Sequence, residues 1–357
     1  MSGLFGELSG GGGAGEDWER IVAVQDRSSG LRAIIVLHSL RRGPAFGGVR
    51  RFAYADEAAA LADAKRLAHA MSLKCALAEL PAGGAKTVIL DHGGLAREAA
   101  YEALGRAIDA LGGDYVCGPD IGTGEAELAA LRRGTRWVNP ADNDAGRSTA
   151  AGVLAGLRGL AEVVFEDGDI GAHSYVIQGL GAVGSALASA LIGVGAAVAG
   201  WDPDPAARER AAKLGVRLLD EAALLCEPCD VFMPCALGGV LSSQVCEAAP
   251  WKAVCGSANN QLADAGAAEV LRRRGITWAP DFLVNVGAVL EGVETVVGEE
   301  DDVRARVVQG IEAIRGRCAR VLVEARELDR SPLEVALAAA RAALEAGQPS
   351  QVPRTGL

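Results

Sequence analysis

Two lysines twelve residues apart, Lys74 and Lys86, are the side chains of this sequence best placed to do chemistry. They lie in the stretch SLKCALAELPAGGAKTVIL, Ser72 to Leu90. Pro81 and a small-residue turn, Gly83-Gly84-Ala85, stand between them, and the apolar, β-prone run Thr87–Leu90 follows Lys86. A lysine at the mouth of a strand, after a turn nearly free of side chains, is open to a substrate, and glycines let the backbone approach a ligand. A solvated loop lysine would read the same way in isolation. Two amines in one desolvated site lower each other's pKa, so one can activate water while the other pairs with a carboxylate. Asp120 lies in a second glycine-rich loop, GPDIGTG, at the end of the short strand expected at Tyr115–Cys117. A carboxylate there can shuttle protons, or can simply shape a turn.

A second constellation supports the functional reading. The expected strand His173–Gln178 runs into Gly179-Leu180-Gly181-Ala182-Val183-Gly184, and a helix, Ser185 to Val194, follows. The next strand, Ala197–Trp201, ends at Asp202, 23 positions after the first glycine. A lone G-x-G-x-x-G is weak; one between strand and helix, trailed by an acidic residue, is the dinucleotide fingerprint. Gly179 permits the tight turn, Gly181 admits the pyrophosphate and Gly184 lets helix and strand pack closely. The helix N-terminus offers amide donors to phosphate. Asp202 can accept from the ribose hydroxyls and would repel a 2′-phosphate, which favours NAD over NADP.

The elements that must position these groups alternate along the chain. Leu31–His38 reads as a strand, Gly43–Gly48 as a loop, and Asp56 as the cap of a helix running to about Leu73. Lys74 is then expected just beyond that helix and Lys86 just ahead of the Thr87–Leu90 strand. A helix from Ala96 to Leu111 follows, and Thr149 precedes a small-residue helix, Ala150–Val164. Strands at Val231–Met233 and Ala253–Cys255 continue the second half, and helices at 302–328 and 332–346 close the chain. In a doubly wound sheet ligands bind beyond the carboxyl ends of the strands, so the loops 234–240, 256–261 and 280–288 are nicotinamide-side candidates. Asn259 and Asn260 lie in one of them, where turn formation is the bland alternative.

Composition sets the outer bounds. The 357 residues suggest about two domains, and half of them are hydrophobic. The net charge is −11 and the pI about 5.0, which argues against a nucleic-acid surface. No apolar run of roughly 18 or more residues suggests a membrane span, and the N-terminus carries no secretory pattern, so a cytoplasmic protein is expected. Eight cysteines without a signal read as reduced thiols; the Cys226-x-x-Cys229 pair lacks a partner pair or nearby histidine, so no metal site is expected. The glycine-rich stretch Ser9–Gly15 is expected to be mobile.

The runs GLRAIIVLH, GPAFGGVR, SLKCALAELPAGGAKTVI, GPDIGTG, VIQGLGAVGSAL, CALGGVL, GSANNQLAD and APDFLVNVGAVL resemble the Glu/Leu/Phe/Val dehydrogenase family, most closely its leucine dehydrogenase branch. The likeness extends from about Gly30 to Val297. It implies an α/β protein of two domains with a cleft between them. The first, 1–148, would bind substrate and build a homo-oligomer, completed by C-terminal helices within 330–357. The second, 149–329, would be a Rossmann NAD-binding domain. The implied reaction is NAD-linked oxidative deamination of an L-amino acid. By motif position Lys74 falls on the substrate-carboxylate lysine, Lys86 on the catalytic lysine and Asp120 on the acid/base aspartate. Phe46, Gly47, Gly48, Thr149 and Val293 complete the implied substrate contacts, and Asn259, Asn260 and Asn285 the cofactor loop. Where glutamate-specific relatives carry a lysine this chain has Phe46, which points to apolar side chains. Ala85, Ala288 and the segment 142–148 depart from the family pattern and bear on substrate range. A homologue acting on an unusual amino acid and a catalytically silent NAD-binding protein are the competing readings; intact Lys74, Lys86 and Asp120 argue against the second.

Overall fold

The computed structural model describes residues 18–140, 144–297 and 302–347. The glycine-rich stretch 9–15, residues 142 and 143, and the segment 348–357 lie outside the described residues. The chain divides into two compact units: residues 18–140 with 295–297 and 340–347, and residues 144–294 with 302–339.

In the first unit β1 (Arg20–Asp26), β2 (Leu31–Leu37), β3 (Ala45–Phe52), β4 (Gly83–Leu90) and β5 (Tyr115–Gly118) form one sheet in the order β1-β2-β4-β3-β5. β1 and β2 pair antiparallel, as do β2 and β4, whereas β3 runs parallel to both β4 and β5. Side chains alternate across the sheet. Helix α1 (Glu57–Leu77) covers one face, where Ala60, Ala64 and Ala68 pack against Val36 and Val88. Asp56 caps it by accepting from the Ala59 amide at 2.7 Å. Helices α2 (Arg97–Asp109) and α3 (Glu125–Gly134) cover the other face. There Leu31, Ile35, Val49, Ile89 and Tyr115 meet Tyr101, Leu104, Ile108 and Leu131. Full burial of each large apolar side chain contributes about 1.5–3 kcal/mol.

Four local expectations need correction. Gly83-Gly84-Ala85 is not a turn but the start of β4, so Lys86 lies inside the strand. The glycines are there for close packing. A Cβ on Gly84 would stand 2.1 Å from the Ser72 amide nitrogen and 2.4 Å from the Ala68 carbonyl oxygen, and one on Gly83 1.7 Å from the Ser39 oxygen. Helix α1 runs four residues past Leu73, to Leu77, so Lys74 sits in its last turn rather than beyond it. The expected loop Gly43–Gly48 turns into strand at Ala45. The small-residue helix begins at Ala145, capped by Asp144, which places Thr149 within it.

The second unit starts with that helix, α4 (Ala145–Val164). Then follow β6 (Ser174–Gln178), α5 (Ala182–Gly193), β7 (Ala197–Trp201), α6 (Pro205–Lys213) and β8 (Arg217–Leu218). The second half-sheet is β9 (Cys229–Pro234), α7 (Ser243–Ala248), β10 (Trp251–Val254), α8 (Ala267–Arg273) and β11 (Thr277–Trp278). The chain continues through α9 (Asp281–Val284), α10 (Gly287–Val297), α11 (Val303–Glu327) and α12 (Pro332–Ala346), of which residues 295–297 and 340–346 belong to the first unit. Its six strands lie in the order β11-β10-β9-β6-β7-β8, with every pairing parallel. That is the doubly wound dinucleotide fold, whose strand order reverses between β6 and β9. Gly156 and Gly159 bring α4 against Val284 and the α11 backbone: a Cβ on Gly159 would stand 2.3 Å from the Arg315 oxygen.

Candidate active site

Alternation along β3 and β4 sends Phe46, Gly48, Arg50 and Lys86 to the face covered by α1, since Ala45, Val49, Ala85 and Ile89 belong to the opposite core. Lys86 is only 6 % exposed, and its ammonium contacts Oδ2 of Asp120. The loop carrying Asp120 leaves β5 and folds over β3, and glycine makes room for it. A Cβ on Gly48 would be 2.6 Å from the Pro119 oxygen and 2.9 Å from the Asp120 Cβ; on Gly47 it would be 1.7 Å from the Ala85 oxygen. Phe46, 4 % exposed, lies opposite Gly84 on one side and Val116 on the other.

Three residues not among the candidates named above, Arg50, Asp63 and Tyr54, belong to this cluster. Arg50 Nε donates to Asp120 Oδ2 at 2.9 Å, and its Nη1 to Asp63 Oδ2 at 3.1 Å. The Tyr54 hydroxyl donates to the same Asp63 oxygen at 2.8 Å. Parity was the available signal for Arg50: a strand starting at Ala45 puts Phe46, Gly48 and Arg50 on one face. Reading GPAFGG as a loop hid it.

Electrostatics favours a working pair. Burial lowers the Lys86 pKa and the positive charge of Arg50 acts the same way, against the opposing pull of Asp120. Burial would raise Asp120, but Lys86 and Arg50 together outweigh it and hold the carboxyl below its ordinary range. Lys74 is half-buried in the last turn of α1, the helix seated on the same sheet face.

The second unit presents the dinucleotide features. Gly179 has φ +93°, and a Cβ there would meet Ala236 at 2.7 Å; one on Gly184 would stand 1.9 Å from the Gly179 oxygen. A Cβ on Gly181 would meet nothing within 4 Å, so that side of the turn is open to a ligand. The first amides of α5, at Ala182 and Val183, have no side-chain cap. Asp202 follows β7 and its Oδ2 accepts from the Leu180 amide at 2.7 Å, which ties the acidic residue to the glycine turn. These residues fit a dinucleotide. Asn285 donates to Asn259 Oδ1 at 2.9 Å and to the Ser257 oxygen at 3.1 Å, so both asparagines belong to one loop cluster. Asn260 has φ +53° and its amide is held by Asp281. Thr149 is half-buried on α4, and Val293 is wholly buried on α10. Among the described residues no three His, Cys, Asp or Glu side chains are grouped to hold a metal ion, all eight cysteines are free, and no helix is long and apolar enough to cross a membrane.

Two family models match the chain. The Glu/Leu/Phe/Val dehydrogenase dimerisation domain covers residues 19–137, and Glutamate/Leucine/Phenylalanine/Valine dehydrogenase covers 207–346. A valine dehydrogenase from Streptomyces albus is 39 % identical over 295 residues, 80 % of this chain and 81 % of its own length. The chain belongs to the Glu/Leu/Phe/Val dehydrogenase family. It is an amino-acid dehydrogenase, an oxidoreductase of a family that uses NAD(P). A leucine dehydrogenase from Thermoactinomyces intermedius is 36 % identical over 303 residues, 83 % of each chain. Among solved structures, L-tryptophan dehydrogenase from Nostoc punctiforme superposes with a TM-score of 0.82 at 27 % identity, over 92 % of this chain and 96 % of that one. The family resemblance and the α/β fold expected from the sequence are borne out.

Proposed function

We propose that this dehydrogenase converts apolar L-amino acids to 2-oxo acids and ammonia with NAD, as a cytoplasmic homo-oligomer. The buried Lys86–Asp120 pair carries the chemical half of the reading. Lys74 holds the substrate carboxylate. Asp120 takes a proton from the substrate ammonium and leaves a neutral amine. NAD, which the Gly179–Gly184 turn and Asp202 would hold, would supply the hydride acceptor for Cα. Neutral Lys86 removes a proton from the water that attacks the resulting iminium carbon; Asp120 then returns a proton to nitrogen and, as the C–N bond breaks and ammonia leaves, its freed carboxylate takes the proton of the carbinolamine hydroxyl. Relatives named for valine and leucine, aligned over four-fifths of the chain, support the apolar substrate class.

Phe46 supports it as well. It lies on the Lys86 face of the sheet and offers no cation to a second carboxylate. Desolvating an unpaired carboxylate there would cost several kcal/mol, about two or more powers of ten in rate. An aliphatic side chain gains about 0.8 kcal/mol per buried methylene instead. Asp202 supports NAD. Its carboxylate would repel a 2′-phosphate, and Arg208 directs Nη1 to the Asp202 and Pro203 carbonyl oxygens rather than outward. The test is kcat/KM for leucine, valine, isoleucine, phenylalanine, tryptophan and glutamate with each cofactor. Branched aliphatic substrates with NAD should lead. Comparable values for glutamate and leucine, or for NAD and NADP, would refute the corresponding half.

A further inference from the structure

Arg50 is the feature of the Lys86–Asp120 site that the reaction scheme leaves without a task. Its guanidinium, 17 % exposed, is held at both ends by carboxylates from different elements. One is Asp120, in the loop after β5; the other is Asp63, on α1. Asp63 is itself fixed, with Oδ2 also accepting from Tyr54 and Oδ1 taking Arg66 Nη2 at 2.6 Å. At the other end Lys86 and Arg50 share a single oxygen of Asp120, Oδ2.

The arrangement solves a problem inherent in a buried Lys–Asp pair. When Lys86 loses its proton, Asp120 loses its countercharge, and a buried carboxylate without one takes up a proton. The acid/base group would then be spent at the step that needs it. A guanidinium does not deprotonate in this pH range, so a second cation of that kind keeps the carboxylate charged. Resting on the proposed roles of Lys86 and Asp120, we propose that Arg50 is a positioning residue that keeps Asp120 an oriented carboxylate while Lys86 is neutral. The groups facing the pair are Arg50 from β3, Asp63 from α1, and Tyr54 through Asp63; Tyr115 of β5 lies on the opposite face of the sheet, where it feels the charge of Asp120. Only Arg50 adds positive charge among these, and it acts on both members: it lowers Asp120 and lowers Lys86.

The test is the pH dependence of deamination in full-length Arg50→Met, Arg50→Lys and Asp63→Asn, with Lys86→Ala alongside. Arg50→Met should lower kcat on the order of 10²-fold with KM for the amino acid changed less than about threefold. The midpoint at which kcat/KM rises with pH should move up by about one unit, because Lys86 loses a like charge and Asp120 a countercharge. Arg50→Lys should return the midpoint toward its original value but recover less than about tenfold of kcat, since an ammonium cannot span both carboxylates. Asp63→Asn, which loosens only the far end, should lower kcat about three- to tenfold, and it carries the test if Arg50→Met fails to fold. A kcat within twofold of the unaltered enzyme in these variants, or a lowered kcat with an unmoved midpoint, overturns the inference. Full turnover in Lys86→Ala would instead refute the underlying assignment of Lys86.

Discussion

Lys86 and Lys74 differ in burial and in the element that holds them, and the difference predicts separable losses. Lys86 is enclosed in a strand beside two charged partners, whereas Lys74 is half-exposed at a helix end. Lys86→Ala should therefore lower kcat by about 10²-fold or more, as loss of an acid/base group does. Lys74→Ala should chiefly raise KM for the amino acid. Steady-state kinetics on the two variants checks both, and near-normal kcat in Lys86→Ala would exclude it from the chemistry. In its proposed role Lys86 must be neutral to take a proton from water, so kcat/KM for deamination should rise with pH, with a midpoint below the ordinary lysine value of 10.5. The candidates Lys74, Lys86 and Asp120 were legible because each sits in a short run of unusual composition. Asp63 was not, since an ion pair with a residue 13 positions away leaves no local trace, and Arg50 was hidden because the start of its strand looked like a loop.

At the level of elements, glycine was the ambiguous signal. In GPAFGGVR and PAGGAKTVIL it suggested turns, and the structure has strands, because the missing Cβ atoms serve contacts with other segments that a linear reading does not contain. The Rossmann turn was easier, as strand, glycines, helix and acid follow one another directly. Strand β1 and helix α3 were not anticipated; β1 is a sheet edge with alternating half-burial and shows only a weak pattern. The second sheet also carries a testable staple. Asp230 on β9 accepts from the Ser174 amide and hydroxyl at the start of β6 and pairs with Lys252 of β10. Burial pushes its carboxyl up, but Lys252 and Ser174 prevail and bring it down to about 2. A depressed folded-state value stabilises the fold above the unfolded pKa of 3.8, and that stability is lost as pH falls through about 2. With solvent screening at the exposed Lys252 end, Asp230→Asn should cost about 1 kcal/mol at pH 7 and flatten the acid-induced loss of stability. Urea unfolding at pH 7 and pH 2.5 measures both; equal acid sensitivity in the two proteins would remove the staple.

On the scale of the whole molecule, the division into two α/β units and the all-parallel second sheet follow from the order of strands, helices and glycine turns, which survives errors in individual boundaries. The exchange of C-terminal segments between the units does not: the same apolar periodicity suits α11 and α12 wherever they pack, and only tertiary contacts sort them. The seating of α1 on β4 has a consequence for what the enzyme can measure. With no side chain on Gly84, the backbone of α1 at Ala68 and Ser72 rests directly on the strand that bears Lys86. On the proposed roles, the carboxylate-binding amine and the amine beside the reacting carbon ride on one rigid body, which acts as a caliper across the substrate. Its jaws are set for a carboxylate one bond from the carbon that bears nitrogen. A β-amino acid such as β-leucine inserts another methylene into that span, and neither helix nor strand can slide to admit it. Its kcat/KM should fall at least about 10³-fold below that of leucine, far more than the same methylene would cost at the tip of the side chain.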